Sequence, residues 1–190
     1  MLTKLLARFP DYTIVDRPTP ELLTRYRDRV PPELLEVWEQ YGFGSFCEGY
    51  LKVVNPDDYA DLLADTYQLT STPAPAPPVV LFATGMGDLL VWELDSLELL
   101  DYRHGITDTV GQNFSIFFRN LSDEDFLSED LRWEPYLAAR ERLGEPGFDE
   151  CFGYVPLLAL GGPETVEHLE KVKLREHIFL ISQFTGILER

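Results

Sequence analysis

Basic residues are scarce in this chain: 16 Lys and Arg stand against 33 Asp and Glu, a formal net charge of −17. The deficit is uneven, because Pro31 to Tyr102 holds thirteen acidic residues and one basic residue, Lys52, a local balance of −12. Nucleic acids and anionic membrane surfaces call for positive potential, so both are poor direct partners. Acidic potential of this size favours fast association with a basic protein, although it also serves solubility alone. Cysteine is nearly absent. Cys47 and Cys151 make neither a disulfide framework nor a CxxC pair, and a cytoplasmic protein with reduced thiols is expected. No apolar run reaches the roughly 18 residues of a membrane span. The hydrophobic stretch of Met1–Pro10 is too short for a signal peptide, and Arg8 interrupts it.

Signatures of catalysis are missing as well. His104, His168 and His177 are scattered, and no pair has the i, i+4 spacing of a helical zinc site. There is no Gly-x-Ser-x-Gly elbow and no Gly-x-x-x-x-Gly-Lys phosphate loop. Gly85-Met86-Gly87 lacks the third glycine of a dinucleotide fingerprint and leads into a strand pattern where that motif needs a helix. Asp123-Glu124-Asp125 lacks the alternating ligands of a calcium loop. Cys47 reads as a small buried apolar side chain, and as a nucleophile only with a spatial histidine. Asp57 and Asp58 suit the first turn of a helix, where negative charge complements the dipole, better than acid–base chemistry. His104 reads as a structural hydrogen-bonder at a strand end. No enzyme, metal or cofactor is expected; the alternative is a small-ligand or regulatory module, or an enzyme using His104 with Asp101.

What is present is a core. Apolar residues make up 45% and aromatics 13% of 190 residues, enough for one domain or two small ones. Leu2, Leu5 and Leu6 suggest a short helix over residues 1–9. Thr19-Pro20-Glu21 is a helix start, followed by a basic patch of Arg25, Arg27 and Arg29. The most informative stretch is Pro31 to Pro56. Leu34, Leu35, Val37, Trp38 and Tyr41 share one helix face, and Gly42 stops that helix. Phe43 to Phe46 then read as an aromatic turn, and Tyr50 to Val54 as a strand. Asn55 caps a further helix carrying Tyr59, Leu62, Leu63 and Thr66, before the proline-rich loop Thr70–Pro78.

Val79 to Tyr102 reads as a three-stranded meander with turns at Gly85–Asp88 and Asp95-Ser96. Helical spacing then returns in Asn113–Leu121 and Trp133–Leu143, with Gly144 as a stop. Pro146–Tyr154 reads as an aromatic loop. Val166–Lys173 is either a short strand or the lead-in to a last helix. That helix runs from Lys173 to about Leu188, with Leu174, Ile178, Leu180, Ile181, Phe184 and Ile187 as its apolar set and His177 near its polar face. The expected architecture is α+β: N-terminal helices on a small antiparallel β-meander, then a mainly helical C-terminal subdomain, divided as 1–110 and 111–190.

The run Pro32 to Tyr59 resembles the hallmark of the GAD-like domain, continued by Phe82–Trp92 and Tyr102–Gly105. Leu143–Gly162 and Lys171–His177 are similar to the C-terminal region of Tdi-type immunity proteins. The helix–Tyr41-Gly-Phe-Gly–strand pattern also resembles the Smi/Knr-like immunity superfamily. Together these cover roughly residues 5–185. The resemblance implies a cytoplasmic antidote to a type VI secretion effector, commonly a DNase, acting by binding and without catalysis. A DNase presents a positive surface to phosphates. On that reading Glu48, Asp57, Asp58, Asp61, Asp65 and Asp88, with Asp123, Glu124 and Asp125, are the candidate partner-binding residues. A rival within the same function is steric binding through aromatic anchors in the proline-rich loop or the 146–154 loop.

Overall fold

The computed structural model describes residues 9–70 and 76–190. The helix expected over residues 1–9 lies almost wholly outside them, as does 71–75 of the proline-rich loop. Strand β1 (Thr13–Asp16) leads into helix α1 (Pro20–Tyr26), where the Thr19 side chain accepts from the Leu22 amide and Pro20 takes the first turn. Helix α2 (Pro32–Tyr41) buries Leu34, Val37 and Trp38. It stops at Gly42, which has φ +74° and whose Cβ would stand 2.3 Å from the Asp16 carbonyl oxygen.

Strands β2 (Phe43–Phe46) and β3 (Leu51–Val53) follow as a hairpin. Phe43–Phe46 is therefore a strand and not the expected turn. It pairs with β1, a partner about 30 residues upstream with no strong strand signal. The turn falls instead on Cys47, Glu48 and Gly49, with φ of 52°, 58° and 80°. Asn55 accepts from the Asp57 amide and opens a 3-10 turn (Pro56–Tyr59) that runs into α3 (Ala60–Thr66) and the short strand β4 (Tyr67–Gln68).

The meander is present as β5 (Val79–Thr84), β6 (Leu89–Glu93) and β7 (Ser96–Asp101), and β8 (Ile106–Gly111) extends it. Helix α4 (Phe114–Asn120) is capped by Asn113, and a π-turn (Phe126–Asp130) precedes α5 (Glu134–Leu143). The C-terminal part is mixed rather than mainly helical. Strands β9 (Glu150–Tyr154) and β10 (Leu169–Lys173) pair antiparallel, and the expected aromatic loop closes into β9. Helix α6 (Leu174–Thr185) and β11 (Leu188–Glu189), which lies parallel to β4, end the chain.

The main sheet has the order β1-β2-β3-β5-β6-β7-β8, antiparallel throughout. Every residue of β5 and β7 is buried, which requires cover on both faces. One face carries Phe82, Leu90, Leu97 and Leu99 against α2, α4 and α5. The other carries Val80, Leu89, Val91 and Leu100 against α3 and α6. A bulge between Val80 and Phe82 lets Leu81 and Phe82 both join the first face.

Phe82 is fully buried at the centre of that face, with ring centroids 5.7–6.3 Å from Phe46, Phe114, Phe117 and Phe118. Phe82→Ala is expected to lower unfolding free energy by about 3–5 kcal/mol in chemical denaturation, the range for a large buried aromatic. A loss below about 1 kcal/mol would mean that the two halves of the chain do not share this core.

Candidate partner-binding surface

The acidic tract does not lie on the surface as a unit. Asp88, Glu93, Glu98 and Asp101 have fully buried side chains, each ion-paired from within, although Oε2 of Glu93 has no hydrogen-bond partner among the described residues. Arg103 forks onto Asp88 through Nε (3.2 Å) and Nη2 (2.8 Å), and lies 3.7 Å from Asp101. Thr84 Oγ1 donates to Asp88 at 3.2 Å. Burial pushes the Asp88 carboxyl up to about 6, with Arg103 pulling against it and Asp101 adding to it. Asp101 also accepts from Arg132 at 3.2 Å, and Arg132 reaches on to Asp108. At the far end of the sheet Arg190 bonds Glu93 (2.9 Å) and Glu98 (3.1 Å). Lys52, the single cation of the tract, is itself buried and donates to the carbonyls of Gly147 and Glu150; burial lowers its pKa to about 8.

Asp88 is therefore withdrawn as a partner-facing residue: a desolvated carboxylate held by an arginine fork cannot meet a protein surface. The remaining candidates are exposed, at three separate places. Glu48 lies in the β2–β3 turn, 2.9 Å from Arg140 on α5. Asp123, Glu124 and Asp125 lie in the turn after α4.

Asp57, Asp58, Asp61 and Asp65 run along the 3-10 turn and α3. Within that row Asp57 is a local structural acid, bonded to Arg25 (2.6 Å) and to the Tyr26 hydroxyl (2.7 Å). Asp61 accepts both Nη2 contacts of Arg175, at 2.8 and 2.9 Å. Asp58 and Asp65 make no side-chain ion pair among the described residues. The aromatic-anchor rival loses its residues, because Phe152 and Tyr154 are buried and Phe148 is packed against the core.

Helix α6 departs from the expected pattern in a way that bears on this surface. Leu174, Ile178 and Ile181 face the core, while Leu180, Phe184 and Ile187, assigned by sequence to the same inner set, are exposed together with Phe179. A stripe through 174, 178 and 181 leaves 179, 180 and 184 on the outer side of the wheel, so the helical spacing carried the signal. Of these, Phe179 and Leu180 lie beside the acidic row of α3 and line, with Asp61, Asp65 and Glu176, a groove of about 710 Å³.

The chemistry-bearing residues are structural in geometry. His104 Nδ1 lies 2.7 Å from Asp101 and Nε2 lies 2.8 Å from Glu164. Burial alone would lower its pKa, but the two carboxylates hold it above the ordinary value. With a carboxylate on each ring nitrogen, His104 has the geometry of a structural hydrogen-bonder. His177 is buried rather than near the polar face, over Gly153, where a Cβ would stand 2.3 Å from its Nε2. Burial lowers its pKa to about 4. Burial raises the Cys47 thiol, and pushes Cys151 up to about 12. Both cysteines are buried and unreactive in character. Among the described residues no group of three His, Cys, Asp or Glu is arranged to hold a metal ion, and no helix is long and apolar enough to cross a membrane.

The sheet is covered on both faces, its buried acids are paired with arginines, and Asp58 and Asp65, which make no ion pair among the described residues, stand on the outside. The chain belongs to the GAD-like domain family, whose model matches residues 1–101, and residues 111–185 match the family described as T6SS immunity protein Tdi1, C-terminal. That family carries an immunity role in type VI secretion. No curated protein matches the chain. The fold is similar to that in the crystal structure of Atu4351 from Agrobacterium tumefaciens, with a TM-score of 0.78, 19% identity, and coverage of 96% of this chain and 89% of that chain.

Two outcomes test the buried network. Arg103→Met is expected to cost about 3–5 kcal/mol of stability, because it strands the buried Asp88 without its cation; His104→Ala, partly exposed, should cost far less by the same denaturation measurement. His177 supplies a pH signature. Its folded pKa lies below its ordinary 6.5, so its contribution is intact above about pH 6.5 and is lost as pH falls towards 4. His177→Gln should flatten the pH dependence of unfolding across that window by up to about 3 kcal/mol. Identical curves for both proteins would show that the ring is not held neutral.

Proposed function

We propose that this protein neutralises a cognate type VI secretion effector, a basic nuclease, in the cytoplasm of the producing cell, by covering its positive DNA-binding surface without catalysis. One observation carries the reading. The buried acids Asp88, Glu93, Glu98 and Asp101 have their own arginines, so the surplus behind the −17 charge sits outside. A nuclease gains most of its affinity for DNA from phosphate contacts. An acidic protein occupying that surface competes directly and is steered onto it. The His104–Asp101 pair supports no catalytic alternative, since both ring nitrogens face carboxylates.

The structure also selects the substitutions. Asp57 holds Arg25 and Tyr26, so reversing it would disturb the fold. Asp58→Lys with Asp65→Lys changes surface charge alone. With the effector encoded beside this gene, that double variant is expected to bind about tenfold more weakly, chiefly through a slower association rate. Wild-type affinity should fall as salt rises. A nuclease assay with each protein titrated in checks the consequence, and the variant should require more protein for the same inhibition. Unchanged affinity, with no salt dependence for the wild type, would refute the acidic-cover reading.

A further inference from the structure

Helix α6 is apolar on both sides, and only one side is covered. Leu174, Ile178 and Ile181 pack on the sheet, while Phe179, Leu180 and Phe184 remain 45%, 47% and 53% exposed. A helix that is apolar all round belongs in an interior, and clustered exposed apolar residues with a polar rim mark an interaction site. The outer face forms one wall of the groove against α3. Asp61 and Asp65 form the opposite lip, and Glu176 closes one end. Arg175, the cation in this groove, is engaged locally: it forks onto Asp61, donates to the Asp58 carbonyl and lies 5.8 Å from the Tyr59 ring centroid. Its charge is matched there, so the lip stays negative.

We propose that the groove between α3 and α6 is the docking site for an amphipathic basic helix of the partner. Its apolar residues would seat on Phe179 and Leu180, and its flanking Lys or Arg residues on Asp65 and Glu176. The inference deepens the function proposed above and rests on it for the identity of the partner. Three features select the occupant. The groove is bounded by two helices, the shape that accepts a third through anchors at i, i+3, i+4 and i+7. A strand would pair with a sheet edge, and this groove is walled by helices, the edges of the main sheet lying at β1 and β8. A second copy of this chain would bring its own negative lip against this one, a like-charge juxtaposition that disfavours the pairing.

The test uses a labelled Leu/Lys amphipathic peptide of about eighteen residues, five helical turns, and a Leu/Glu peptide of the same pattern. Binding is read by fluorescence anisotropy at physiological salt. Wild type should bind the Leu/Lys peptide and not the Leu/Glu one. Phe179→Ser with Leu180→Ser, which leaves net charge unchanged, should weaken binding by about tenfold or more, as loss of apolar anchors does. Asp65→Lys should weaken it too, and reversal of Asp123, Glu124 and Asp125 should not. Circular dichroism confirms folding, and Leu180→Ser stands in if the double variant does not fold.

Absence of Leu/Lys binding, or binding indifferent to the α6 substitutions, overturns the proposal. So does a wild-type dimer in sedimentation velocity that Phe179→Ser with Leu180→Ser converts to monomer, since the groove would then hold a second copy. The neighbouring effector separates this inference from the reading beneath it. If wild type and the α6 variant bind that effector equally, the groove fails and immunity stands. If wild type ignores the effector while the peptide results hold, the groove stands and the immunity reading fails.

Discussion

Arg103 holds the molecule together at the point where its parts meet. It sits past the end of β7, forks onto Asp88 in the β5–β6 turn and neighbours Asp101. Asp101 in turn accepts from Arg132, which stands just before α5. One guanidinium thus ties a turn in the N-terminal region to a strand end and, through a shared carboxylate, to the C-terminal region. Such a pair is not a large net source of stability, because desolvating three charges costs about as much as their attraction returns. Its effect is on arrangement: any displacement of the Gly85–Asp88 turn exposes an unpaired buried charge. The same turn is pinned by backbone bonds, from Gly85 N–H to the Tyr50 carbonyl and from Phe152 N–H to the Gly85 carbonyl. The β9–β10 unit therefore registers on the main sheet through a turn that cannot slide.

This clamp also decides what the negative charge can do. A linear count places twelve uncompensated charges between Pro31 and Tyr102. In space, four of those acids are inside, paired with Arg103, Arg132 and Arg190, which all lie beyond the tract. Lys52, the tract's own cation, is inside as well and neutralises nothing at the surface. The outcome is a separation of roles: carboxylates in the sheet order the fold, and carboxylates on α3 and the surface turns shape the external field.

Local chemistry was legible in the sequence. Thr19 and Asn55 cap the elements they were read to cap, and Gly42 and Gly144 stop helices as read. The meander follows from alternating turn residues and apolar runs. What was not legible depends on distant partners. β1 has exposed residues throughout and exists by pairing with β2. β9 requires β10 across a connection that includes a cis Val155–Pro156 bond. Asp88 looked like a surface acid because a buried carboxylate and a free one are written with the same letter; only the arginine fifteen residues on distinguishes them.

The error at α6 is of another kind, and it is informative. Leu180, Phe184 and Ile187 were placed inside because they are apolar, yet burial of apolar residues is a one-way rule and much of any protein surface is apolar. The informative observation is their clustering. Scattered exposed leucines need no account, whereas Phe179 and Leu180 stand together on the groove wall of a helix whose other face already fills the core. Leaving them exposed forgoes burial that would stabilise the monomer by roughly 1.5–3 kcal/mol for each side chain. Phe179 and Leu180 beside an acidic row leave an uncovered apolar surface where charge can choose the partner. In the proposed docking, the aspartates would govern approach and selectivity, and the apolar residues of α6 would govern how long the complex lasts.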